Sequence, residues 1–200
     1  MKLSKKGEYA LRSLINLGIA AEVGRDLVQV SELADYEQLP IKFLEQIMSA
    51  LKEEKLVESV RGKFGGYRLA KPAKQISIGQ VVRLIDGPLA PIGCVSQTAY
   101  APCTCPDETH CGLRMLMLDV RNAIANILDR YSLADVVEVT LRKLRRDQIP
   151  PPFSPESDAP GHVPNRLPAR LARKFANRTA PRRLTEADGV LHQLLGDYTI

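Results

Sequence analysis

LVESVRGKFGGYRLA, residues 56–70, places two short runs of β-forming residues on either side of a glycine-rich turn. Glycine adopts the positive φ angles that tight hairpin turns require. The pattern therefore predicts a strand over Leu56–Val60, a turn over residues 61–66 that carries Arg61 and Lys63, and a returning strand over Tyr67–Ala70.

Three helices are predicted before this hairpin. Apolar residues spaced by three and four predict a helix over residues 5–22. Ser31 is the expected N-cap of a short helix, Glu32–Glu37. A longer helix is predicted over Ile41–Glu54, with a buried stripe formed by Ile41, Leu44, Ile47, Met48 and Leu51. This order predicts a mainly α chain with a small β-hairpin wing, in which residues 1–75 form a winged helix-turn-helix domain.

A winged helix-turn-helix domain binds DNA through its longer helix, whose first residues enter the major groove. The hairpin, with Arg61, Lys63 and Arg68, would lie along the phosphates or in the minor groove. The alternatives are a protein-interaction module and a small helical domain that binds no nucleic acid. The candidate DNA-contacting residues of the longer helix are Lys42, Phe43, Glu45 and Gln46.

All four cysteines lie within 18 residues, and their spacing is C-x8-C-x-C-x5-C. The surrounding loop follows a predicted helix, Ile78–Ile85, and precedes another that begins near Gly112. An iron–sulfur cluster accepts irregular spacing on a loop, whereas structural zinc usually uses C-x2-4-C pairs. A disulfide is disfavoured in a reducing compartment, and inert thiols remain possible. His110 is either a spare ligand or an exposed loop residue. The cysteines are Cys94, Cys103, Cys105 and Cys111.

The long helix after the cysteines carries an apolar stripe over about five turns. Such a stripe predicts a dimer seam, with some of its residues packed on the same chain. A last helix is predicted over Leu133–Arg146, and Ser132 and Asp135 are placed to cap it. We therefore assign residues 76–147 to a cysteine loop and dimerisation helices. The stripe comprises Leu113, Leu116, Met117, Val120, Ile124, Ile127, Leu128 and Tyr131.

The C-terminal quarter differs in composition, because eight of the 14 prolines lie from Pro150 onward. Residues 159–200 contain seven basic and three acidic residues, and so carry most of the formal net charge of +5. We expect the folded part to end near Asp147 and residues 148–200 to be a Pro-rich linker and basic tail without stable structure. The tail either attracts nucleic acid or another acidic partner, or is inert.

The overall composition, 44% hydrophobic and 26% charged, is typical of a globular protein. No apolar run approaches the roughly 18 residues of a membrane helix, and no signal-peptide cleavage pattern is present, so we expect a cytoplasmic protein. With three histidines, no Ser/His/Asp set and no phosphate-binding loop, an enzyme is the least favoured class.

Four segments resemble the Rrf-type winged helix-turn-helix transcriptional regulators, a family that includes IscR, NsrR and RirA. The resemblance covers about residues 1–146 and implies a homodimer that binds a double-stranded DNA operator with pseudo-palindromic sequence. The matching segments are EYALR at 8–12, FLEQI at 43–47, SVRGKFGGYRLA at 59–70 and CGLR at 111–114.

The resemblance also implies a 2Fe–2S or 4Fe–4S cluster held by three loop cysteines. Carried over to this sequence, Cys94 is the first ligand, Cys105 the middle one and Cys111 the third, while Cys103 is either dispensable or an additional ligand. In some members a carboxylate from the other subunit completes the site, and Glu8 stands at that position, with Arg12 one turn away. The expected function is sensing of iron, redox state or nitric oxide. The alternatives are a cluster-free thiol switch and a zinc-stabilised interaction protein.

Overall fold

A computed structural model of the chain describes residues 2–62 and 64–154. Lys63 and the predicted tail from residue 155 onward lie outside the described residues. Within these described residues, six α-helices and one antiparallel hairpin follow the predicted order, which confirms the mainly α fold with a small wing. They are α1 Lys5–Glu22, α2 Val30–Glu37, α3 Ile41–Glu53, β1 Val57–Val60, β2 Gly66–Leu69, α4 Ile78–Asp86, α5 Gly112–Arg130 and α6 Leu133–Arg146.

The core forms around α1, which packs against α3, α4, α6 and β2. Gly18 lets α6 approach closely, since a Cβ at this position would lie 2.7 Å from Val137 Cγ2. The predicted cap of α6 is present, because the Asp135 carboxylate accepts from Ser132 N at 2.8 Å. The largest fully buried side chains include Leu14, Ile19, Leu33, Leu44, Ile47, Met48, Leu51, Leu56, Ile76 and Leu133.

Two details of the predicted helix-turn-helix are wrong. The N-cap of α2 is Gln29 and not Ser31, because Gln29 N donates to Glu32 Oε2 at 2.9 Å and the helix begins at Val30. Ile41 is 44% exposed and does not join the buried stripe. It is the first residue of α3, and a helical side chain leans toward the N-terminus, here beyond the edge of the core.

The wing is attached to the rest of the domain through the connection between α1 and α2. Within the hairpin, Val57 pairs with Leu69 and Val60 pairs with Gly66. Val28 exchanges two backbone hydrogen bonds with Tyr67, of 3.0 and 2.8 Å. Gly66 makes this approach possible, since a Cβ there would lie 2.5 Å from the Val28 carbonyl oxygen.

The chain stays packed beyond Asp147, where the folded part was expected to end. Pro152, Phe153 and Ser154 are buried, and Phe153, 7% exposed, belongs to the main hydrophobic core. The expectation of a linker starting at residue 148 is therefore wrong for residues 152–154. Proline prevents a helix but does not prevent an extended segment from packing.

One part of the apolar stripe of α5 packs within the chain, as expected, and the other part is exposed. None of the residues of α5 is buried, although the helix packs against α4. One part of the stripe is half-buried within the chain, namely Met117, Ile124 and Leu128, while Leu113, Leu116, Val120 and Ile127 are exposed. Among the described residues, every helix is too short or too polar to cross a bilayer.

Candidate DNA interface and cysteine pocket

The outer face of α3 presents three of the four residues predicted to contact DNA. Lys42, Glu45 and Gln46 are exposed near the start of the helix. Phe43 points toward the interior and is half-buried, with its ring packed edge-to-face on Tyr9 of α1 at a centroid distance of 6.0 Å. Phe43 therefore connects α3, the expected recognition helix, to α1.

The two arginines of the wing lie at different places in the hairpin. Arg61 is exposed at the start of the turn, whereas Arg68 lies on β2 and forms an ion pair with Glu58, its cross-strand neighbour. Phe64, which the sequence-based interpretation did not single out, is 81% exposed at the turn. Its position between Lys63 and two glycines was the only sequence signal that could have identified it.

All four cysteines line one pocket of about 270 Å³ at the start of α5, together with Ile92, Leu113 and Arg114. Cys94 is buried and Cys105 is exposed. The sulfur atoms of Cys105 and Cys111 lie 3.9 Å apart, and Cys103 interacts with both Cys94 and Cys105. The structure thus brings together every cysteine that the spacing grouped.

The thiols supply the donor type of a metal centre but do not form a finished one. Within residues 2–62 and 64–154, no group of three His, Cys, Asp or Glu side chains has the geometry to hold a metal ion. Thiolate sulfurs are the ligands of iron–sulfur clusters and of many zinc sites. The donor set fits either group.

The thiols differ in how readily they lose a proton. Hydrogen bonds with Cys103 and Cys111 favour the protonated form of Cys105 and raise its pKa to about 12. Burial raises the pKa of Cys94, whereas a hydrogen bond from Cys105 lowers the pKa of Cys103. Because metal ligands must be deprotonated, a metal bound here would displace protons.

Three polar side chains to which the sequence analysis gave no role hold the cysteine loop on α5, although one of them, Arg114, belongs to the CGLR match. The Tyr100 hydroxyl donates to the Glu108 carboxylate at 2.8 Å, and Arg114 Nε lies 3.2 Å from Glu108 Oε1. Arg114 Nε also donates to the carbonyl oxygen of Cys94 at 3.2 Å. Arg114 therefore ties the first cysteine of the loop to the helix that follows the last one.

His110 is an exposed loop residue, which is one of the two positions that the sequence analysis allowed for it. Its Nδ1 lies 2.6 Å from Asp107 Oδ2, and its side chain is 80% exposed.

Glu8 lies in the first turn of α1, where it pairs with Lys5 at 2.8 Å and with Arg12 at 3.6 Å. Arg12 also pairs with the buried carboxylate of Glu37, at the end of α2. The side chains lining the cysteine pocket do not include Glu8 of the same chain. A ligand role for Glu8 therefore requires a second subunit.

A series of polar contacts connects the cysteine loop to the helix-turn-helix. Arg83 of α4 donates twice to the Asp129 carboxylate of α5, with both bonds 2.6 Å long. Asp86, at the end of α4, accepts from Ser4 N at 2.8 Å beside the start of α1. Since α1 contacts α3 through Tyr9, the pocket and the recognition helix are linked through three packed helices.

Comparison with known proteins agrees with this arrangement. Residues 3–139 match the model of the Rrf2 family, described as an iron-dependent transcriptional regulator. An rrf2-like HTH-type regulator of Rhodobacter capsulatus is 38% identical over 139 residues, which cover 68% of this chain and 91% of that one.

Two solved structures are also similar. One is CymR, described as the global cysteine regulator of B. subtilis, with TM-score 0.58 and 28% identity, covering 69% of this chain and 97% of that one. The other is T. potens IscR, with TM-score 0.55 and 25% identity, covering 75% of this chain and 93% of that one. These relatives are regulators and not enzymes, as expected. With the family match extending over both the winged domain and the cysteine loop, the chain belongs to the Rrf2 family of transcriptional regulators.

Proposed function

We propose that this chain is a homodimeric DNA-binding regulator that senses iron, redox state or nitric oxide through an iron–sulfur cluster at the cysteine pocket. The observation that carries the proposal is that all four cysteines line one pocket at the first turn of α5. When bound, a cluster supplies an iron centre whose integrity depends on iron supply and oxidants.

The ligands in this proposal are Cys94, Cys105 and Cys111, with Glu8 of the partner subunit as the fourth. The 3.9 Å separation of the Cys105 and Cys111 sulfurs supports the choice of these two. Cys103 lies in the same pocket and is the alternative middle ligand. A ligand from the partner subunit would make the site depend on how the two subunits are arranged.

The exposed part of the α5 stripe supports a dimer. Leu113, Leu116 and Ile127 are each 57% exposed on one long helix, and pairing two such helices would remove this apolar surface from water. The cysteine pocket lies at one end of the same helix, so the seam and the sensing site share α5.

Arg114 would transmit a change in the pocket. It holds the Cys94 carbonyl and the Glu108 carboxylate from the first turn of α5, so a shift of the loop moves this turn. The Arg83–Asp129 and Asp86–Ser4 contacts then pass the shift to α4 and α1. Because the two recognition helices of a dimer must match the spacing of two half-sites, a small rotation changes operator affinity.

The test is purification without oxygen, followed by iron, sulfide and absorbance measurements on wild type and on four single Cys→Ala variants. We expect Cys94→Ala, Cys105→Ala and Cys111→Ala to be colourless but folded and dimeric, since the winged domain has its own core. Cys103→Ala should remain coloured and serves as the matched control. Wild-type protein without iron or sulfide after anaerobic reconstitution would refute the sensor, and bound zinc would favour the interaction protein.

A cluster-free thiol switch is the second candidate, and the proximity of Cys105 to Cys111 favours it. A disulfide needs the two sulfurs at about 2.05 Å, so a loop movement of about 2 Å would join them. Hydrogen peroxide would take two electrons and two protons from the thiols and leave one disulfide and two waters. Mass spectrometry would show the loss of two hydrogen atoms, absent in Cys111→Ser, together with a change in DNA affinity.

A further inference from the structure

Phe64 is the most exposed large hydrophobic residue in the described part of the chain, at 81%. Of the other phenylalanines described, Phe43 packs on Tyr9 and Phe153 lies in the core. Exposure of a single apolar side chain needs no explanation by itself. The backbone that carries Phe64 is what makes the residue informative.

The backbone of the turn requires glycine at two positions. Gly62 has a φ angle of 122°, which L-residues rarely adopt. The Gly65 N–H donates to the Gly62 carbonyl at 2.9 Å, and a Cβ at Gly65 would lie 2.1 Å from the carbonyl oxygen of Val60. The two glycines thus close a tight turn that presents Phe64 at the tip of the wing.

The residues next to Phe64 in the sequence combine apolar side chains with positive charge. Val60 is 41% exposed at the end of β1, Arg61 is exposed beside it, and Lys63 precedes Phe64 in the sequence. Proteins that bind the minor groove use cations together with an apolar wedge, commonly Phe, Leu, Ile or Met, placed between two base pairs. The tip of the wing has both components.

We propose that Phe64 enters the minor groove beside the major-groove contact of α3 and wedges between two base pairs. This inference rests on the DNA-binding part of the proposed function and is independent of any cluster. The wedge would unstack one base step and bend the duplex toward the major groove. Flanking base steps that unstack easily, such as TA and CA, would then be favoured without hydrogen bonds to their edges.

An apolar wedge differs from a phosphate contact in its response to salt. Neutralising a phosphate releases counterions, and each such contact adds about one unit to the slope of log affinity against log salt. Phe64 carries no charge, so its removal should leave the slope unchanged while lowering the affinity. Lys63→Ala is the matched control, since we expect it to lower the slope.

The experiment uses the full chain, purified without oxygen, and short duplexes that the wild-type protein selects from a random-sequence pool. Fluorescent 2-aminopurine is placed at successive positions in the flanks, and its emission rises where a base is unstacked. We expect enhanced emission at one step in each flank with wild type and with Phe64→Leu, which retains a wedge. We expect none with Phe64→Ala, together with binding about 5- to 150-fold weaker, the loss that one aromatic–base stack causes.

The inference would be overturned by the absence of any emission change along the flanks with wild type, or by Phe64→Ala binding within twofold of wild type. Phe64→Ala that alters self-association but not DNA affinity would overturn it too, by assigning the residue to a protein contact. Wild-type protein that selects no DNA at all would instead refute the DNA-binding part of the proposed function.

Discussion

The ring of Phe153 packs on the ring of Tyr36, with centroids 5.3 Å apart and planes inclined by 54°. Tyr36 belongs to α2, the first helix of the helix-turn-helix, whereas Phe153 follows the last helix. The Arg25 guanidinium lies 6.0 Å from the Phe153 ring centroid and adds a cation–π contact. The segment after α6 therefore completes the core of the DNA-binding domain.

Phe153→Ala should destabilise the fold by about 3–5 kcal/mol, because it leaves a cavity beside Tyr36. Urea unfolding measures the change, and Phe64→Ala is the control, since that side chain is exposed. A chain ending at Ser154 should keep the stability of the full chain, and one ending at Asp147 should lose about as much as Phe153→Ala. Equal stability of the two shortened chains would show that Phe153 contributes nothing to the core.

Gly18→Ala should destabilise the packing of α1 on α6 by about 1–3 kcal/mol. The added methyl would meet Val137 Cγ2 at 2.7 Å, and a β-branched side chain in a helix has little freedom to turn away. Gly112→Ala is the matched control, since no atom beyond its chain neighbours and the backbone of its own helix lies within 4 Å of its Cβ position. Thermal unfolding of both variants checks the prediction, and an unchanged midpoint for Gly18→Ala would contradict it.

Glu37 should make stability depend on pH. Burial raises the pKa of Glu37 above its ordinary value, although the Arg12 guanidinium and the Asn16 amide oppose the shift. The folded state then binds the proton more tightly than the unfolded chain. This contribution is fully present below the unfolded pKa and is lost as the pH rises through the folded pKa.

The measurement for Glu37 is the free energy of unfolding of wild type minus that of Glu37→Gln, from about pH 4 to about pH 8. Because glutamine does not titrate, the difference isolates the carboxylate. We expect this difference to decrease as the pH rises, because wild type then loses stability relative to Glu37→Gln. A difference that increases with pH would mean that the attraction of Arg12 lowers the pKa of Glu37 by more than burial raises it.

The exposed face of α3 should determine which bases are selected. Glutamine pairs with adenine, glutamate accepts from cytosine, and each good contact is worth about 1–3 kcal/mol of discrimination. Glu45→Ala and Gln46→Ala should therefore change the relative affinities for operator variants, as measured by competition binding. Lys63→Ala, the comparison, should weaken binding to all variants alike. Unchanged relative affinities in both α3 variants would exclude this helix as the reader of sequence.

Much of the fold could be predicted because the apolar residues recur at regular spacings in the sequence. Spacings of three and four located α1, α3 and α6, and the glycine-rich turn located the wing. The start of α2 was misplaced because Ser31 is the better cap by residue type, while Glu32 in fact accepts from Gln29 N. Phe153 could not be predicted, since its contacts with α2 have no sequence period.

The same distinction holds for the candidate site. The spacing of the cysteines predicted their grouping, because four thiols in one short loop have few ways to stay apart. For the Tyr100–Glu108–Arg114 network, the only signal was the place of Arg114 in the CGLR match, because Tyr100 and Glu108 lie on an irregular loop. Glu8 lies outside the pocket of its own chain, and the only sequence signal for a ligand role was the family resemblance.

The backbone pairing of Val28 with Tyr67 joins the wing and the helix-turn-helix of one subunit into a single rigid DNA-binding unit, called the head below. In the proposed dimer, a rearrangement along α5 would therefore turn whole heads rather than reshape either one. Each head would keep its intrinsic affinity for a half-site, and what changes is the effective concentration of the second head once the first is bound. Regulation would then act on avidity. The protein would bind a duplex with one half-site equally before and after the rearrangement, and only its affinity for the full operator would differ.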